Sequence, residues 1–120
     1  MDSFTIAYIE CALWSSTDNS DESGGEPLDA NYTIDDISDK SIAIIEKECS
    51  DFRDMAADLL ETIGADDEQN GHDFWLTRNG HGAGFWDRGY GKPGDDISKI
   101  AKSFGGCDPV IGDDGKIYFE

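Results

Sequence analysis

The sequence predicts an α+β fold: a helical N-terminal part with one long amphipathic helix, packed on a small antiparallel sheet made by two C-terminal β-hairpins. Three observations predict it. Apolar residues keep a three-four spacing from Ile42 to Ile63, eleven of the fourteen glycines follow residue 70, and aromatic β-prone runs flank turn signals in that later stretch. Strands grouped with only one short helix between them favour α+β over a parallel α/β sheet. With 120 residues the chain can bury one modest core, so residues 1–120 read as a single domain. Its first part, 1–70, reads as mainly helical and strongly acidic, and its second, 71–120, as glycine-rich, aromatic and β-rich.

Taken in order, Phe4, Ala7, Tyr8, Cys11 and Trp14 fall three and four apart behind an Asp2 or Ser3 cap, the pattern of an amphipathic helix. Thr5, Ile6 and Ile9 would also suit a strand. Residues 15–25 carry no apolar anchor and read as a surface loop, and residues 31–37 add one short turn. The long helix runs from about residue 39 to 63, with Ile42, Ile45, Cys49, Phe52, Ala56, Leu59, Leu60 and Ile63 on its apolar side and Gly64 as its C-cap. On another face Asp51, Asp54, Asp58 and Glu61 form a carboxylate stripe about 15 Å long at 1.5 Å rise per residue.

Asp66-Asp67-Glu68 reads as an acidic linker. Beyond it, Phe74-Trp75-Leu76-Thr77 and Gly84-Phe85-Trp86-Asp87 are strand candidates flanking Asn79-Gly80-His81-Gly82, a hairpin turn signal. Lys92-Pro93-Gly94 breaks the chain ahead of a short helix over 95–104, whose Ile97, Ile100, Ala101 and Phe104 face inward and which Gly105-Gly106 ends. Val110-Ile111 and Lys116-Ile117-Tyr118-Phe119 around Gly112-Asp113-Asp114-Gly115 read as a terminal hairpin.

Charge narrows the function classes. There are 27 Asp and Glu against 9 Lys and Arg, a net of −18. Residues 1–70 hold 19 acids and 3 bases, whereas 71–120 hold 8 acids and 6 bases. Such a field opposes phosphate, so direct binding of nucleic acid or an anionic membrane is disfavoured, and basic proteins, cations or proteins that hold DNA are the natural partners. No stretch approaches the roughly 20 apolar residues of a membrane span, and Met1-Asp2-Ser3-Phe4 lacks the basic start of a signal peptide, so a cytoplasmic location is expected. Cys11, Cys49 and Cys107 are scattered and odd in number, which argues against a disulfide framework or a zinc site and for reduced thiols.

Gly89-Tyr90-Gly91-Lys92-Pro93-Gly94 matches the glycine spacing of a dinucleotide fingerprint, but Asp95 and Asp96 stand where pyrophosphate would sit and no buried strand run precedes it. Asp113-Asp114-Gly115-Lys116-Ile117 resembles the middle of a calcium loop, yet its first ligand place falls on Val110 and its last beyond the C-terminus. His72, Asp73, His81 and Asp87 lie within the first expected hairpin and carry the groups used for metal binding or acid–base work, although their spacing fits no ligand motif. No nucleophile-and-base pair stands out, and no metal or cofactor is expected.

The segment from Gly71 to Gly89, GHDFWLTRNGHGAGFWDRG, resembles the signature stretch of a family of small acidic uncharacterised proteins of bacteriophages and other mobile elements. Tyr8-Ile9-Glu10-Cys11-Ala12-Leu13-Trp14-Ser15-Ser16 and the ending Gly112-Asp113-Asp114-Gly115-Lys116-Ile117-Tyr118 fit the same family. The resemblance implies a context, a host cell infected by phage, but brings no activity and no assigned residues. A small acidic protein of that kind points first to a DNA-mimicking decoy, an inhibitor of a host DNA-binding defence or DNA-processing protein, presenting Asp51, Asp54, Asp58, Glu61, Asp66, Asp67 and Glu68 to a basic groove. The alternative is a non-enzymatic interaction or regulatory module anchored by Trp75, Phe85 or Trp86. A small enzyme centred on His72 and His81 is the third.

Overall fold

In the computed structural model, which describes residues 1–17 and 25–120, five helices and one two-stranded sheet make an α+β fold. Most of the loop expected over 15–25 lies outside the described residues. α1 (Ser3–Ser15) starts on Asp2, whose Oδ1 accepts the Thr5 N–H at 2.9 Å. It buries Phe4, Thr5, Tyr8, Ile9, Cys11, Ala12 and Leu13, so it has apolar neighbours on most sides rather than along one stripe. Trp14, expected to face inward, is instead 59% exposed.

α2 (Asp39–Met55) is capped by Ser38 and buries Ser41, Ile45, Cys49 and Phe52. The single helix expected over 39–63 is divided: Ala56, at φ −103° and ψ 10°, leaves helical geometry, and α3 (Ala57–Ile63) continues to a left-handed Gly64 at φ 69°. Two 3-10 turns, Leu28–Ala30 and Ile34–Asp36, precede α2 where one turn was expected.

The largest correction concerns the first hairpin. Residues Asp67–Arg78 are a helix, α4, Asp66 being its N-cap rather than part of a linker, and Phe85–Asp87 is a 3-10 turn. Among the described residues, 71–120 is therefore mostly helix and turn, with one hairpin. The reason is packing against α1: Gly71 sits where any Cβ would overlap the Phe4 carbonyl, and that close approach buries Phe74, Trp75, Leu76, Thr77 and Arg78 together. Tertiary contact overrides the β preference of the Phe-Trp-Leu-Thr run. Phe74 stacks on Phe52 of α2 at 4.0 Å, and Trp75 meets Tyr8 edge-on at 5.3 Å while its indole N–H donates to Ser15 Oγ.

α5 (Lys92–Lys102) begins at Lys92, so Lys92-Pro93-Gly94 opens the helix instead of interrupting the chain, as proline in a first turn permits. Gly94 lies against the Phe85 carbonyl, and Asp96 pairs with Lys92 at 2.8 Å. The expected terminal hairpin is present as β1 (Pro109–Ile111) and β2 (Ile117–Phe119), antiparallel with Val110 opposite Tyr118. It joins the start of α2, where the Ser38 N–H donates to the Ile117 carbonyl and the Phe119 N–H to Ser41 Oγ. Among the described residues no helix is long and apolar enough to cross a membrane.

Candidate functional site

The segment from Gly71 to Gly89 is spent largely on holding parts of the fold together. Arg78, with its side chain 3% exposed, donates to Tyr8 Oη at 3.0 Å, to the carbonyls of Gly105 and Phe104, and pairs with Glu48 at 3.1 Å. The Phe85 N–H donates to Thr77 Oγ1, the Cys107 N–H to Asn79 Oδ1, and the Gly84 N–H to Asp87 Oδ1. Asp73 is fully buried and its carboxylate receives Arg88 through Nη2 at 2.8 Å and Nε at 3.3 Å, with Gln69 Nε2 at 3.0 Å. Apart from Gln69–Asp73 within α4 and Gly84–Asp87 within one turn, these bonds join separate parts of the fold.

Of the expected acid–base cluster, His72 and Asp73 come together, with His72 Nδ1 3.5 Å from Asp73 Oδ1, but not in line for a hydrogen bond. His72 lies midway along α4, whereas His81 follows its C-terminus with its N–H donated to the Leu76 carbonyl, and Asp87 is occupied as the cap of its own turn. The nearest thiol, Cys11, is pushed up to about 12 by burial and then by the Asp73 charge, so it stays protonated at neutral pH and offers no thiolate. Among the described residues no group of three His, Cys, Asp or Glu could hold a metal ion. Trp75 and Phe85, expected as interface anchors, are at 1% and 0% exposure and belong to the core, while Trp86 is 46% exposed.

The acidic residues are gathered differently from a straight stripe. A cleft of about 760 Å³ opens between the start of α1, one side of α2 and α3, and the first turns of α4. Asp54 and Glu61 line it with Glu46, Asp2 and Asp67, whereas Asp51 and Asp58 do not. Arg53 crosses this cleft beneath Phe4, bonding Asp2 at 2.9 Å and lying 3.5 Å from Asp67. Asp51 takes Lys47 at 2.6 Å, an exposed pair of little energetic weight. Asp54, Asp58 and Glu61 are exposed, and among the described residues no lysine or arginine pairs with them.

A second cavity, about 690 Å³, lies further along α1, and the acidic turn at the head of α4 divides between the two, Asp67 to the first, Asp66 and Glu68 to the second. Trp14, Glu10, Asp29, His72 and Arg88 also line the second. The lone arginine at position 53 in an acidic run was a usable signal for the first cavity. Nothing local marked Trp14 or the Asp73–Arg88 pair, which joins residues fifteen apart. In comparisons with known proteins, no family model, no curated protein and no solved structure matches this chain.

Proposed function

We propose that the protein is an acidic decoy, encoded by a phage or mobile element and acting in the host cytoplasm, that occupies the basic DNA-binding surface of a host defence or DNA-processing protein. The observation that supports it is a set of exposed carboxylates on α2, α3 and the first turn of α4, namely Asp54, Asp58, Glu61, Asp67 and Glu68, of which, among the described residues, only Asp67 pairs with a cation, Arg53. Carboxylates held at fixed positions on helices offer a basic groove the same sign of charge as a phosphate row, and long-range attraction speeds encounter.

The experiment compares the variant Asp51→Asn, Asp54→Asn, Asp58→Asn, Glu61→Gln with the parent chain in binding to DNA-handling host proteins recovered at low salt. The expected outcome is slower association for the variant, and an affinity that falls steeply with ionic strength for the parent and less steeply for the variant. The exposed Trp86 supports a second reading, an interaction module anchored by an aromatic side chain. If Trp86→Ala abolishes binding and the quadruple variant leaves it unchanged, that second reading replaces the first.

A further inference from the structure

Carboxylates occur all over this chain, and by themselves they single out no site. What distinguishes the second cavity is its wall. Trp14 stands 59% exposed on the last turn of α1, and its ring lies 6.3 Å from that of His72, tilted by 33°. Around this aromatic wall stand Glu10, Asp29, Asp66 and Glu68, all exposed, and among the described residues none of the four pairs with a lysine or arginine. The one cation that lines the cavity, Arg88, is already answered by the buried Asp73 carboxylate at 2.8 Å. Asp66 already accepts the Gln69 N–H as the cap of α4, but an aromatic face beside carboxylates that no cation answers is the chemistry that recognises a delocalised or compact cation.

We propose that this cavity receives an arginine side chain of a partner protein, its guanidinium against the Trp14 face and its N–H groups directed to the surrounding carboxylates. The identity of the partner rests on the decoy reading above; the site itself does not. Guanidinium suits it better than ammonium because a planar cation can lie along an indole and still present several donors at its edge. The geometry also divides labour between the two cavities. In the first, Arg53 takes two of the lining carboxylates, Asp2 and Asp67, whereas in the second Arg88 is held by Asp73, outside the lining, and leaves the lining carboxylates to an incoming arginine.

The test uses the full chain and a capped Gly-Arg-Gly peptide, followed by the three indole N–H signals in NMR at constant ionic strength. The Trp14 signal should move saturably while those of Trp75 and Trp86 stay in place, and the same peptide with neutral citrulline should move none of them. Trp14→Leu, at an exposed position, should keep the fold and weaken the peptide by about fivefold, from the range of cation–π contributions at accessible sites. Glu10→Gln with Glu68→Gln should weaken it further, and Trp86→Leu should not. Equal movement with arginine and citrulline, or undiminished binding by folded Trp14→Leu, overturns the site. The quadruple variant of Asp51, Asp54, Asp58 and Glu61 separates the two ideas. It should still bind the peptide, so peptide binding in a chain that engages no DNA-handling protein keeps the cavity and ends the decoy.

Discussion

The signature segment and the α2–α3 face use their polar residues in opposite ways. Between Gly71 and Arg88, Asp73, Thr77, Arg78 and Asn79 each bond to another part of the chain, Asp87 caps its own turn, and the glycines at 71 and 84 allow a close approach where a Cβ would collide with Phe4 or Thr77. On the α2–α3 face, Asp54, Asp58 and Glu61 are exposed, and among the described residues none of the three has a lysine or arginine partner. A run that resembles a family signature can thus describe how a fold is held, while the residues free to meet a partner lie elsewhere.

Breaking the first region should produce the largest effects. Arg78→Ala leaves Glu48, Tyr8 and two carbonyls without their donor inside the core, which should cost about 3–5 kcal/mol, a sizeable part of a domain's whole stability, and urea denaturation would read it. Gly71→Ala forces α1 and α4 apart, and an overpacking cost of about 1–3 kcal/mol should appear as a lower midpoint.

Asp2→Ala should cost about 1 kcal/mol through loss of the α1 cap. The Thr5 N–H, ahead of the Thr5 hydroxyl and Arg53, holds the Asp2 carboxyl below the usual carboxylate range. A carboxyl lowered in the folded state stabilises it above its unfolded value, and that contribution is lost as pH falls through the folded one. The parent and Asp2→Ala should therefore converge in stability on acidification below the normal carboxylate range, as thermal melts between neutral and acid pH would record. The smallest effect belongs to the second region: the quadruple acid variant should melt within a few degrees of the parent, or higher, because removing like charges relieves self-repulsion and only the exposed Lys47–Asp51 pair is lost.

That contrast also explains which parts were legible in the sequence. α1, α2 with α3, α5 and the terminal hairpin announce themselves through local periodicity, caps and turn residues, the kind of information a short window holds. α4 does not. Gln69-Asn70-Gly71-His72 is poor helix material, Phe74-Trp75-Leu76-Thr77 favours a strand, and the acids at 66–68 suit a linker as well as a helix N-terminus. Its helicity comes from α1, more than fifty residues away. The break at Ala56 carries neither glycine nor proline to mark it, so a divided helix reads as a continuous one. At the candidate sites, the exposure of Asp54, Asp58 and Glu61 follows from periodicity. The outward position of Trp14 does not, because α1 is surrounded by apolar contacts and its spacing cannot say which side is free.

The bonds Trp75–Ser15, Arg78–Tyr8 and Phe119–Ser41 join residues 60, 70 and 78 apart in the chain. A polypeptide made mostly of helices usually folds fast because its contacts are local, but here α1 reaches its main partner, α4, only when a loop of more than fifty residues closes. The entropy of that search falls on the rate-limiting step, so refolding should be slow for a helical chain. Its transition state should already contain the α1–α4 pair, and substitutions there should slow folding where those on the acidic face leave the rate unchanged.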